Sequence, residues 1–122
     1  MDSFQNTQPI YLQIMMLMKR QIATSVLSPG QLLDTVRDLA LTYQVNPNTV
    51  QRALSELERE GLVKSDRTIG RYVTHDLTLI QKLHQDLFDE ATLVFINTIK
   101  ALHMSNESVI NAITNRLKGE NT

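Results

Sequence analysis

Asn48, Gln51 and Arg52 lie three and four residues apart in a stretch of helical period, and Val50 and Leu54 fall on the other side of the same turns. Residues at that spacing share one helix face. An Asn or Gln amide can bond adenine bidentately, and an Arg guanidinium can do the same to guanine. Arg67 and Arg71 flank a short glycine-containing loop, and Arg52, Arg59 and Lys64 add to the same basic region. Side chains of that kind bond phosphate oxygens, which fixes position on a duplex without reading its sequence. Arg59 has Glu56, Glu58 and Glu60 as neighbours and is expected to pair with one of them. The chemistry on offer is recognition of double-stranded DNA.

Other chemistries find little support. No Ser/His/Asp arrangement, phosphate-binding glycine loop or metal cluster can be read from the chain. No enzyme activity and no cofactor are expected. His84 and His103 are nineteen residues apart on one expected helix. That is about 28 Å at 1.5 Å per residue, too far to share an ion. No metal site is therefore expected, and the five Met residues are read as core filler.

The elements that hold these side chains follow from period and punctuation. Pro9 opens a helix in which Ile10, Ile14, Leu17 and Ile22 share a face, with Tyr11, Met15 and Met18 beside it. Ser28-Pro29-Gly30 is a turn, so this helix should end near Leu27. Asp34 or Thr35 caps the next helix, whose inner face is Val36, Leu39, Ala40 and Tyr43. A tight connection follows. Asn46 is then an N-cap and Pro47 a first helical residue, its φ preset and its missing N–H not needed. The third helix spans 47–60, turns Val50, Ala53, Leu54 and Leu57 inward, and stops at Gly61. Leu62–Ser65 and Arg71–Thr74 read as a hairpin with a loop longer than two residues. Helical period returns from Leu77 to about Met104, and Ser105 can cap a last helix that Gly119 ends, with a frayed tail beyond.

Helix, helix, tight turn, helix, hairpin is the order of a winged helix-turn-helix, in which one helix crosses the DNA backbone and the next presents its start to the major groove. The expected fold is mostly α with a small β-hairpin. Residues 9–75 would form the DNA-binding domain and 76–119 a helical dimerisation region.

Residues 9–75 resemble the DNA-binding domain of the GntR family of bacterial regulators. The resemblance rests on Arg37-Asp38-Leu39-Ala40, Thr49-Val50-Gln51-Arg52-Ala53-Leu54, Glu58-Arg59-Glu60-Gly61-Leu62 and Gly70-Arg71-Tyr72-Val73. The start at 9–14 and the segment 46–53 are similar, more narrowly, to the YtrA-type subfamily, which has a short two-helix C-terminal part. By that resemblance Arg37, Thr49 and the wing around Gly70 touch DNA. Thr35, Asn46 and Pro47, at the starts of the two helices, complete the candidate set. Four departures stand out: Pro47 and Gln51 replace frequent arginines, Asp34-Thr35 replaces Pro-Ser, Gln44 replaces Gly in the tight turn, and Thr68 replaces the first wing glycine. An Asp34 carboxylate close to phosphate would repel it. If the Gln44 position needs a positive φ, the side chain costs about 1 kcal/mol there. Thr68 should stiffen or reshape the wing tip. As a family tendency, the resemblance implies a repressor.

In the long helix Ile80, Leu83, Leu87, Ala91 and Val94 form one apolar stripe, and Phe88, Phe95, Ile99 and Leu102 an adjacent one. Together they span an arc of about 160° at 100° per residue, and Leu93 and Ile96 widen it. The last helix offers only Val109, Ile110, Ile113 and Leu117 to cover it. A homodimer is the economical way to bury the rest, and it would supply two recognition helices. A short C-terminal part leaves little room for an enclosed small-molecule pocket, and no effector is identifiable.

Length and composition agree. The chain has 122 residues, no Cys, no Trp and a net charge of −1. Residues 1–75 carry eight Lys/Arg against seven Asp/Glu, and 76–122 carry four against six, so the positive balance lies in the first part. The polar start lacks the pattern of a signal peptide, and no run of about 18 apolar residues exists. A cytoplasmic location without membrane association is expected. The competing reading is a helical module that uses a winged fold to dock a protein partner without specific DNA binding.

Overall fold

The computed structural model describes Phe4 and residues 6–120, the side chain of Glu120 excepted. Its elements are α1 (Ile10–Ala23), α2 (Val36–Tyr43), α3 (Pro47–Arg59), β1 (Val63–Asp66), β2 (Gly70–Val73), α4 (Leu77–Ala101) and α5 (Asn106–Glu120). This is the mostly helical fold with a small hairpin that the sequence predicts: a winged helix-turn-helix followed by two helices.

Pro9 starts α1, its carbonyl accepting the N–H groups of Leu12 and Gln13 at 3.1 and 3.4 Å. The helix ends at Ala23, four residues short of the expected Leu27. The reason is local. Ser25 adopts a left-handed φ of 63°, and the Thr24 hydroxyl donates to the Arg20 carbonyl at 2.7 Å. The apolar period runs on through Val26 and Leu27 although the backbone has already turned. The inner stripe is Ile14, Met15, Met18 and Ile22. Ile10 is 41% exposed and Leu17 only half-buried, so Met18 takes the core position expected of Leu17.

α2 starts at Thr35, whose side chain accepts the Asp38 N–H at 3.1 Å. It ends at Gln44, which is left-handed at φ 58°, ψ 48°. The Val45 N–H reaches back to the Ala40 carbonyl at 3.0 Å, closing the C-terminus. Asn46 then caps α3 by accepting the Asn48 N–H at 2.7 Å, with Pro47 in the first turn. α3 buries Val50, Ala53, Leu54 and Leu57, mainly against α1 and α2. Arg52 meets Tyr11, and Lys19 meets Glu60 at 2.8 Å. Both pairs are 41 residues apart in sequence, so α1 and α3 lie side by side with their N-termini at the same end.

β1 and β2 pair antiparallel from Val63↔Val73 to Asp66↔Gly70. The first strand begins one residue later than expected because the Leu62 N–H is committed to the Leu57 carbonyl at 3.0 Å, closing α3 around Gly61. The second spans 70–73 rather than 71–74 because Gly70 still pairs with Asp66. An unexpected neighbour joins β2. Leu33 N–H bonds to Arg71 O and Val73 N–H to Gln31 O, each at 2.9 Å, with a bridge between Leu32 and Tyr72. This loop carries one bridge and no alternating pattern, so period could not reveal it.

α4 ends at Ala101 rather than Met104. The Leu102 and His103 N–H groups tighten onto Ile99 and Lys100, and His103 turns left-handed at φ 57°. Ser105 caps α5 by accepting the Ser108 N–H at 3.1 Å. Gly119 lies within α5 and does not end it. The tail expected to fray, residues 121–122, lies outside the described residues. Two compact units divide after Asp86. The first holds the buried core of Ile14, Met18, Ile22, Val50, Leu54, Leu57, Val63 and Val73. Ile80 and Leu83, in the first turns of α4, are buried in this unit at 8% exposure each. From Leu87 onward the helices are largely open: Phe88 is 61%, Val94 60% and Phe95 40% exposed.

Candidate nucleic-acid interface

The turn from Gln44 to Asn46 fixes α3 by both of its flanking caps, and so fixes what the helix presents. Asn46, Pro47, Asn48, Gln51 and Arg52 are exposed, and Thr49 is half-buried at the edge of the core. The Gln51 amide donates to Ser55 Oγ at 3.3 Å along the same face. Asn46 uses its side-chain oxygen as the cap and keeps its amide nitrogen as a donor toward solvent. On α2, Thr35 spends its hydroxyl oxygen on the cap, while Arg37 is exposed in the first turn. The DNA-facing candidates on α2 and α3 therefore sit at the starts of two capped helices that pack on each other.

The wing is fastened to α3. Glu58, the penultimate residue of α3, accepts from Arg71 Nε at 2.5 Å and from the Ser65 hydroxyl at 2.6 Å. Both wing strands are thus tied to one carboxylate. The Ser65 hydrogen bond first, and then Arg71, hold Glu58 below the usual carboxyl range. The tip is shaped by Asp66, whose Oδ1 accepts from the Thr68 N–H and hydroxyl and from the Ile69 N–H at 2.8, 2.7 and 3.2 Å. These bonds, the Thr68 hydroxyl foremost, lower the Asp66 pKa. Thr68 thus gives the tip a built turn. Gly70 follows at φ 101°. Arg67 and Lys64 remain exposed. Arg59 pairs with Glu56 at 3.5 Å, as its neighbours led one to expect.

The start of α2 and the wing line one open cleft of about 400 Å³, which brings Thr35 together with Gly70 and Arg71. Asp34 and Asp66 line it as well, so this cleft is not uniformly basic. Two residues of the site escape sequence reasoning. Tyr11 of α1 lies under the Arg52 guanidinium, its ring centroid 3.9 Å from Cζ and its hydroxyl 3.3 Å from Nη2. Glu58 was visible only as a possible partner for Arg59. Neither contact, 41 and 13 residues apart, has a local signal.

Among the described residues no group of three or more His, Cys, Asp or Glu could hold a metal ion. No helix of the described residues is long and apolar enough to cross a membrane.

A capped two-helix pair followed by a hairpin fastened to the second helix defines a winged helix-turn-helix regulator. The family described as bacterial regulatory proteins, gntR family, matches residues 10–73, and the chain belongs to it. Members of this family are transcriptional regulators, not enzymes. The HTH-type transcriptional regulator YhcF of Bacillus subtilis is 33% identical over 118 residues, covering 97% of this chain and 98% of that protein. The HTH-type transcriptional repressor YtrA of the same organism is 41% identical over 71 residues, 58% of this chain and 55% of the repressor. A GntR family transcriptional regulator from Listeria monocytogenes has a similar structure, with a TM-score of 0.86 at 34% identity over 92% of this chain and 98% of that one.

Proposed function

We propose that this chain is a sequence-specific repressor that binds a pseudo-palindromic DNA operator as a homodimer. Residues 9–75 bind DNA and 76–119 dimerise. The observation that carries the reading is the outer face of α3, where Asn48 and Gln51 stand exposed beside a wing fastened to the same helix. α3 enters the major groove by its start. Asn48 and Gln51 read base edges, each good bidentate pair being worth about 1–3 kcal/mol of discrimination. Thr35, Arg37, Asn46, Pro47, Thr49 and Arg52 line the approach, and Arg67, Gly70 and Arg71 contact the backbone. Arg71 offers the donors left over after Nε engages Glu58. The likeness to YtrA supports repression and a YtrA-like placement.

Dimerisation rests on the open face of the second unit. Leu87, Phe88, Ala91, Val94, Phe95 and Ile99 are the residues that meet a second copy. Ile80 and Leu83, already buried within the first unit, drop out of that surface. Nothing in the second reading, a protein-docking winged module, accounts for the pair of amides on α3.

Selection of bound sequences from a random duplex pool tests the proposal. Two related half-sites at fixed spacing are expected, and Gln51→Ala should relax preference at one base pair in each. A pool that yields no motif would remove the claim of specific regulation.

A further inference from the structure

We propose that Tyr11 is a positioning residue that sets Arg52 against the DNA backbone, so that Arg52 grips phosphate and does not read a base. The inference rests on the DNA-binding reading above and deepens it. By spacing alone Arg52 belongs with Asn48 and Gln51, and a free guanidinium there could fork onto guanine. The structure gives it a different setting. Cζ lies 3.9 Å from the Tyr11 ring centroid, and Nη2 donates to the Tyr11 hydroxyl at 3.3 Å. Tyr11 belongs to the first turn of α1, not to the helix-turn-helix pair. Because α1 and α3 run side by side with their starts at one end, the stack lies at the flank of α3 that faces α1.

Three consequences follow. Bidentate readout of guanine needs a guanidinium free to turn its fork onto a base edge, and the Tyr11 stack with the Nη2 hydrogen bond holds that fork in one orientation. A face stacked on an aromatic ring still carries its full charge, so attraction to phosphate is untouched. An arginine side chain also has many rotamers to lose on binding, and a stack formed before DNA arrives removes part of that loss. The arrangement suits a charge held ready for the backbone and handicaps a base reader.

The test uses the full chain, a duplex carrying the selected motif and an unrelated duplex, with salt titrations and thermal melting for each variant. Arg52→Ala should weaken both duplexes alike, about tenfold, the scale of one charge-assisted hydrogen bond. It should also shallow the salt slope by about one unit and leave the selected motif unchanged. Arg52→Lys, which keeps the charge and cannot fork, should retain the motif and most of the affinity. Tyr11→Leu should lose a part of the affinity that Arg52→Ala loses and add almost nothing in its background, and Tyr11→Phe, which keeps the ring, should lose less. A changed base preference in Arg52→Ala or Arg52→Lys would overturn the phosphate assignment. So would Tyr11 and Arg52 effects that simply add, which would mark Tyr11 as packing only. If Tyr11→Leu does not fold, Tyr11→Phe combined with Arg52→Ala decides the coupling. A wild-type chain that binds neither duplex would defeat the DNA-binding reading itself, and this proposal with it.

Discussion

Glu58 of α3 accepts from Arg71 of the second wing strand at 2.5 Å. The same carboxylate oxygen takes the Ser65 hydroxyl from the first strand at 2.6 Å. One side chain therefore ties α3 to both wing strands and helps set the angle between helix and wing. Both partners are partly open to solvent, at 24% and 32% exposure, so the ion pair is screened and its worth lies in geometry more than in stability.

The depressed pKa of Glu58 has a definite sign. A carboxyl group held lower in the folded chain than in the unfolded one stabilises the fold above the unfolded value, and that contribution is lost as pH falls through the folded value. Urea unfolding of wild type and Glu58→Gln should therefore show the wild type more stable at neutral pH. The gap should narrow as pH drops below the ordinary carboxyl range. A gap that stays constant to pH 3 would mean that the Glu58 charge does not contribute.

Gln44 offers the opposite lever. It holds a left-handed φ of 58° at the end of α2, a conformation that costs an ordinary L-residue roughly 1–2 kcal/mol. Glycine removes that strain and gives back part of it as unfolded-chain entropy. Gln44→Gly is expected to raise stability by about 1 kcal/mol, a few degrees in melting temperature, without altering DNA affinity. A lower melting temperature would show that the Gln44 side chain contributes more than its backbone costs.

The first unit was largely legible because its signals are local. Caps at Thr35 and Asn46, Pro47 in the first turn of α3 and Gly61 after it are punctuation that backbone chemistry enforces. The glycine that the family resemblance puts where Gln44 stands raised the question of a positive φ there, and Gln44 has one. What failed was also physical. Apolar period ran on past Ala23 and past Ala101, where the left-handed Ser25 and His103 had already turned the chain. The Leu32–Tyr72 bridge, the Glu58–Arg71 tie and the Tyr11–Arg52 stack join residues 40, 13 and 41 apart in sequence, and neither helical nor strand period links such partners. Periodicity also could not separate the start of α4, where Ile80 and Leu83 are buried, from its later turns, where Phe88 and Val94 are open.

That open face gives a prediction about assembly. A charge introduced there must be desolvated when two copies meet, at a cost of several kcal/mol. Phe95→Glu should shift the chain toward monomer in sedimentation while the first unit stays folded on its own core. Affinity for a full operator should fall about a hundredfold or more, the scale of losing effective concentration between two linked sites, and weak half-site binding should survive. A folded monomeric variant that binds the full operator at wild-type strength would sever dimerisation from function.

Specific recognition of duplex DNA is the central claim, and titration of the wild-type chain onto its selected duplex and onto a scrambled duplex of equal length and composition, across a series of salt concentrations, tests it most directly. Binding to both should weaken with salt because phosphate contacts release counterions. The selected duplex should keep an advantage of at least a thousandfold at physiological salt, the usual floor for specific over non-specific binding. Equal affinity for the two duplexes at moderate salt, or no binding to either, would contradict it.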